Sequence, residues 1–165
     1  YNMKETKDFN MYNYENNFSV RIKLDNGKTL TNLTDNIFSI DLPKIQMVSL
    51  VDSDDLEPFK MGLRSTKNGS VENEVYNILS KSNNFDIEVS LSNPNKIDFI
   101  FHNCSVSTIS FGQLAHKAKS NPFNFTVDVD YKYATYFNAG ESFSFGDAPI
   151  DLSDIKQNDE EKDNV

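Results

Sequence analysis

The stretch Phe123-Asn124-Phe125-Thr126-Val127-Asp128-Val129-Asp130-Tyr131-Lys132-Tyr133 alternates without a break. Phe123, Phe125, Val127, Val129, Tyr131 and Tyr133 share one register, and Asn124, Thr126, Asp128, Asp130 and Lys132 share the other. Side chains alternate across a strand, so this pattern predicts a strand packed on one face and wet on the other. The same period runs through Phe85, Ile87, Val89 and Leu91, set against Asp86, Glu88, Ser90 and Ser92. Asn93-Pro94-Asn95 then supplies a turn, and a long strand follows over 97–109. It carries Phe99 and Phe101 on one register and Ile100, Cys104 and Val106 on the other.

Upstream, Phe18, Val20, Ile22 and Leu24 alternate with Ser19, Arg21 and Lys23, and Asp25-Asn26-Gly27 reads as a hairpin turn. A return strand over 28–34 is expected. Residues 37–42 form a further strand, stopped by Pro43 because proline cannot donate to a ladder. Residues 44–51 are again strand-like, whereas 52–69 show no clear period and read as a long loop or irregular arm. Residues 70–82 predict one amphipathic helix: Ser70 as cap, Glu72 and Glu74 in the first turn, and Val71, Val75, Ile78 and Leu79 on one face. The organisation expected is an arm over 1–16, a β domain over 17–137 and an acidic tail over 138–165.

The 165 residues suffice for one domain with a real core. A net charge of −9 opposes a grip on nucleic acid, which needs clustered Lys and Arg to displace counterions from phosphates. Cys104 is the single cysteine, so neither an internal disulfide nor a cysteine zinc site within one chain can form. With no membrane-length apolar run and no secretory leader pattern, synthesis in a reducing cytosol is expected. Asn-x-Ser/Thr triplets start at Asn17, Asn32, Asn68, Asn103 and Asn124; most fall inside predicted strands and reflect an Asn-rich composition.

No phosphate-binding glycine loop, paired-histidine motif or nucleophile elbow occurs in the chain. His102 and Cys104, two apart on a predicted strand face, are two soft ligands and fall short of a site. Asp86, Glu88, Asp128 and Asp130 lack the glycine-punctuated loop of a calcium site and read as a solvated strand face. No catalytic, cofactor or metal residues are assigned, and no enzyme is expected.

Phe101-His102-Asn103-Cys104-Ser105-Val106 through Leu114, a polar gap, and then 123–133 together resemble the tail tube proteins of contractile-tail bacteriophages. That family closes its fold with a strand reading roughly V-x-x-I-x-x-G-x-L, a short loop, and an alternating strand that ends aromatic-x-aromatic. Val106, Ile109, Gly112, Leu114, Val127, Val129, Tyr131 and Tyr133 fall near those places. The resemblance covers about residues 17–137. Segment 52–69 and the tail after Asn138 depart from it.

The resemblance implies a mainly β (α+β) fold, an antiparallel β-sandwich or half-open barrel with one flanking helix, completed by oligomerisation. It further implies hexameric rings stacked into the inner tail tube of a virion, made in the host cytoplasm, without a membrane partner. Partners would be copies of the chain itself, then sheath, baseplate and tape-measure proteins, with genomic DNA passing through unbound. An acidic lumen repels phosphates, and Asp86, Glu88, Asp128 and Asp130 are its candidate lining. Asp52, Asp54, Asp55, Leu56, Pro58, Phe59, Met61 and Leu63 are candidates for a ring-stacking arm. The alternatives are a baseplate tube initiator, a secretion-system tube relative, or a monomeric β-sandwich binding module.

Overall fold

The computed structural model describes residues 17–44, 56–112, 114–116 and 123–149. Its frame is antiparallel: β1 (Phe18–Lys23), β2 (Ile37–Asp41), β3 (Phe59–Arg64), β4 (Phe85–Leu91), β5 (Phe99–Phe111), β6 (Asn124–Asp130), β7 (Tyr133–Asn138) and β8 (Glu141–Gly146). Helix α1 (Thr31–Asp35) joins β1 to β2, and α2 (Ser70–Glu74) continues into a π-helical turn (Val75–Leu79).

The long strand β5 serves two halves of one sheet. Its first half pairs β4 along one edge and β7 along the other. From Ser105 to Phe111 it pairs β6, which leads directly into β7. The order is β1-β4-β5-β6-β3-β2, with the β7–β8 hairpin alongside. β1 and β2 are the ends of this path and do not pair with each other, so the expected half-open barrel is what forms.

The core lies inside the curl. Phe59, Met61, Leu63, Ile22, Ile87, Phe101, Val127 and Val129 are buried there, with Leu33 from α1 and Val71, Val75 and Leu79 from α2. The π turn, closed by Ser80 N–H donating to Val75 C=O at 2.8 Å, holds Leu79 inward along with Val75.

Several expectations are corrected. The return strand over 28–34 reduces to one bridge, Lys23 to Thr29, because the chain turns into α1 to bury Leu30 and Leu33. Ser70 is the first helical residue, not the cap. Gly69 precedes it at φ 68°, and the side chains of Asn68 and Thr66 accept the Ser70 and Val71 N–H groups at 3.1 and 3.3 Å. The segment 52–69 is no loop over its second half: Phe59–Arg64 is a strand between β2 and β6. The unbroken alternation over 123–133 is broken at Lys132, so Tyr131 is buried while Tyr133 stacks on His102 across the opposite face. A tight turn with Ala139 and Gly140 at positive φ (51° and 83°) starts β8 in what read as tail. The arm 1–16, most of 44–51 and the stretch 150–165 lie outside the described residues.

Candidate assembly surface

Four strands, β2-β3-β6 and the second half of β5, make a sheet whose rows run straight across. Ile40, Met61, Val127 and Ile109 form one inward row, and Ile37, Leu63, Phe125 and Phe111 form the next. The outward rows are Asp41, Lys60, Asp128 and Thr108, then Ser39, Gly62, Thr126 and Ser110. One side of this sheet therefore packs on the core, and the other presents small polar groups and opposed charges to water.

Both lateral edges of this sheet are open among the described residues. β4 stops at Cys104 on β5, leaving 105–111 unpaired along that edge, and β2 pairs only β3. Strand directions alternate, so β5 and β2 run opposite ways. A second copy could lay its β5 against this copy's β2 and keep the sheet antiparallel. Unpaired N–H and C=O rows are templates for such addition. Large apolar groups remain exposed near the same edges: Phe111 at 56%, Leu114 at 80% and Leu42 at 43%.

On the outward side, a bulge between Ile37 and Ser39 turns Phe38 over β3. Its ring lies where a Cβ on Gly62 would stand, at 2.8 Å, and Arg64 sits 5.6 Å from the ring centroid. A side chain at residue 62 would have to displace the Ser39 hydroxyl and the Phe38 ring. The alternation Phe59, Met61, Leu63 against Lys60, Gly62, Arg64 was the available signal for β3, masked by the turn-formers on either side.

The structure separates the residues singled out from the sequence. Asp128 is half-buried and Asp130 exposed, both on β6. Asp86 and Glu88 belong to β4, in the other half of the sheet. Glu88 is buried and bonded to Lys23 Nζ at 2.8 Å, with Arg21 at 3.7 Å. Asp86 accepts the Asn103 N–H at 3.1 Å. Of the arm residues, Phe59, Met61 and Leu63 are core of this same chain, so their burial withdraws their side chains from any neighbour. Leu56 is half-buried, Pro58 is exposed, and Asp52, Asp54 and Asp55 lie outside the described residues. Lys44 N–H donates to the Glu57 carboxylate at 3.2 Å, which holds together the two described ends flanking 45–55.

His102 and Cys104 do not share a face. Asn103 adopts φ 52°, and this bulge turns Cys104 into the core, where burial pushes its thiol well up, while His102 stays outward. No group of three or more metal-binding side chains occurs among the described residues. His102 Nε2 meets Thr135 Oγ1 at 3.1 Å, Nδ1 lies 3.9 Å from Asp86, and the ring stacks on Tyr133 at 4.1 Å. Burial holds its pKa below the usual 6.5, against the opposing pull of Asp86 and Glu88. The folded state thus binds this proton less readily than the unfolded one. The stability it contributes is complete above about 6.5 and is lost as pH falls from there through the folded value. Urea unfolding between pH 7.5 and 5.5 should show stability falling with acid, and His102→Gln should flatten that slope. An unchanged slope in the variant would assign the effect to the carboxylates.

No protein-family model matches the sequence, and no curated protein matches it. Solved structures match the fold. An Hcp protein aligns with a TM-score of 0.52 at 13% identity, over 81% of this chain and 98% of that one. A chain of the sheath–tube complex of PVC, an extracellular contractile injection system in its extended state, aligns at 0.51 and 9%, over 88% and 99%. An Hcp1 variant from E. coli EAEC 042 aligns at 0.50 and 11%, over 78% and 97%. At such identities the likeness is one of fold.

Proposed function

We propose that this chain is a non-enzymatic structural subunit that joins copies of itself into rings, six to a ring, stacked as a hollow tube. The observation that carries this reading is the four-stranded sheet with two open edges, one packed side and one wet side. An open edge is a liability that closure removes, and a head-to-tail interface between different edges closes into a ring when the rotation permits. Four alternating strands per copy keep every junction antiparallel. Six copies give a barrel of about 24 strands, beyond the size at which barrels leave a water-filled channel.

In such a ring the outward rows of β2, β3, β6 and β5 line the lumen. Asp128 and Asp130 remain candidate lining, now with Asp41 and balanced by Lys60 and Arg64. Asp86 and Glu88 lie in the other half of the sheet, and Glu88, being ion-paired, adds no repulsive field. Asp52, Asp54, Asp55, Leu56 and Pro58 remain the candidate stacking residues, with Lys44 and Glu57 beside them.

Two settings fit this subunit. One is a phage tail, with sheath, baseplate and tape-measure partners and DNA in transit. The other is the tube of a secretion or injection system, and the likeness to Hcp and to a PVC sheath–tube chain favours it. A lining that mixes Lys60 and Arg64 with the acids is also less suited to passing DNA than a wholly acidic one.

Negative-stain microscopy and solution mass of the purified chain test the assembly. Six-fold rings or hollow tubes are expected. A monomer at every concentration would overturn self-assembly and favour a binding module.

A further inference from the structure

A groove of about 370 Å³ opens between the two ends of the curled sheet. Its walls are Phe18 and Val20 from β1 and Ile37 and Phe38 from β2, with Asp35 and Arg64 at the rim. Ser19 and Thr34 complete the lining, so the groove mixes apolar wall with hydroxyl groups and carries charge at its lip. On the far edge of the same molecule, Phe111 ends β5 with 56% of its surface exposed, touching its own chain mainly through Phe125 at 6.0 Å between centroids. Beyond it Leu114 is almost wholly exposed.

We infer that the groove is the socket for a second copy of this chain, and that Phe111 is the knob that fills it. This rests on the ring reading above and adds the residues that make its junction specific. Three observations meet here. The sheet rows place Phe111, Phe125, Leu63 and Ile37 on one level, so a neighbouring β5 laid antiparallel on β2 brings its Phe111 beside Ile37, the groove wall. The volume suits one aromatic side chain plus flanking atoms, and burying Phe111 removes one of the largest exposed apolar surfaces described. Charge is complementary as well: Asp35 makes no ion pair among the described residues, and the sequence that follows β5 carries Lys117 and Lys119.

A heterologous contact of this kind has a knob and a socket on each copy, so it propagates around a ring without exhausting either. It also separates two tasks. Backbone pairing along β5 and β2 tolerates sliding by a residue pair, whereas one aromatic seated in one groove fixes the register.

The test is cross-linking within assembled rings. Phe111→Cys combined with Asp35→Cys, treated with a flexible bismaleimide that tolerates a one-pair shift, should give a ladder of covalent oligomers up to the closed ring. Each single variant should stop at background. In parallel, Phe111→Asp should leave a folded monomer by circular dichroism and lower ring yield at least tenfold, while Phe111→Leu should retain most of it. Rings that form normally yet give no ladder, or that survive Phe111→Asp, would overturn the knob and socket and leave the tube reading standing. Absence of rings in the parent chain would remove both.

Discussion

Phe59→Ala is expected to destabilise the fold by about 3–5 kcal/mol, the range for truncating a large buried aromatic. Phe59 is 1% exposed and lies at the start of β3, with its ring 4.4 Å from Phe101 and 5.9 Å from Tyr131. Phe101 in turn meets Tyr131 edge-on at 5.1 Å, so the substitution opens a cavity where β3, β5 and the β6–β7 junction each contribute an aromatic. The loss combines transfer free energy with contacts the cavity cannot replace. Chemical denaturation should show a lower midpoint with an unchanged slope. A change below 0.5 kcal/mol, the scale of surface substitutions, would return residue 59 to a surface arm. Burial, and then the nearby Glu57 carboxylate, push the Tyr131 hydroxyl up to about 12.

Gly62→Val should cost about 1–3 kcal/mol, the usual range of overpacking. A Cβ at this position meets the Ser39 hydroxyl and the Phe38 ring, and valine adds two further carbons toward them. Phe38 must leave β3, which forfeits the Arg64 contact and disturbs the β2 bulge that aims it. Because β2 is an outer strand that pairs, among the described residues, with β3 alone, the damage falls on one of the two edges proposed for ring closure. Thermal unfolding and ring yield should therefore both drop. Adding Phe38→Ala and Ser39→Ala to the variant should recover part of the stability, since contacting residues couple. A Gly62→Val protein as stable as its parent would refute the close packing of β2 on β3.

Alternation made much of the frame legible. β1, β2, β4 and β6 stand where period-2 patterns predicted them, because in each one face is packed and the other wet, and that contrast is written residue by residue. β3 carries the same contrast in six residues, but Pro58, Lys67 and Asn68-Gly69 around it made the whole region resemble a loop. β8 was missed for a different reason. Glu141, Ser142, Phe143 and Ser144 are all exposed, so burial left no pattern to read, and the strand exists only because β7 offers it an edge.

The candidate surface divides in the same way. The strand identity of Asp86, Glu88, Asp128 and Asp130 was readable, but which half of the sheet each pair occupies was not. That depends on β5 changing partners from β4 to β6 midway, an event set by the bulges at Asn103 and near Ser107. Nor could a one-dimensional pattern reveal that Glu88 is buried against Lys23, since the pairing joins residues 65 positions apart.

By itself, then, the sequence determined the class of the fold, the period of its strands and the face of its helix, because these are local consequences of side-chain order. The tertiary structure alone decided which strand is central, which edges stay open and where Phe111 and the groove stand relative to each other. Those follow from long-range pairing, in which each strand's neighbour is chosen by the burial of all the others at once.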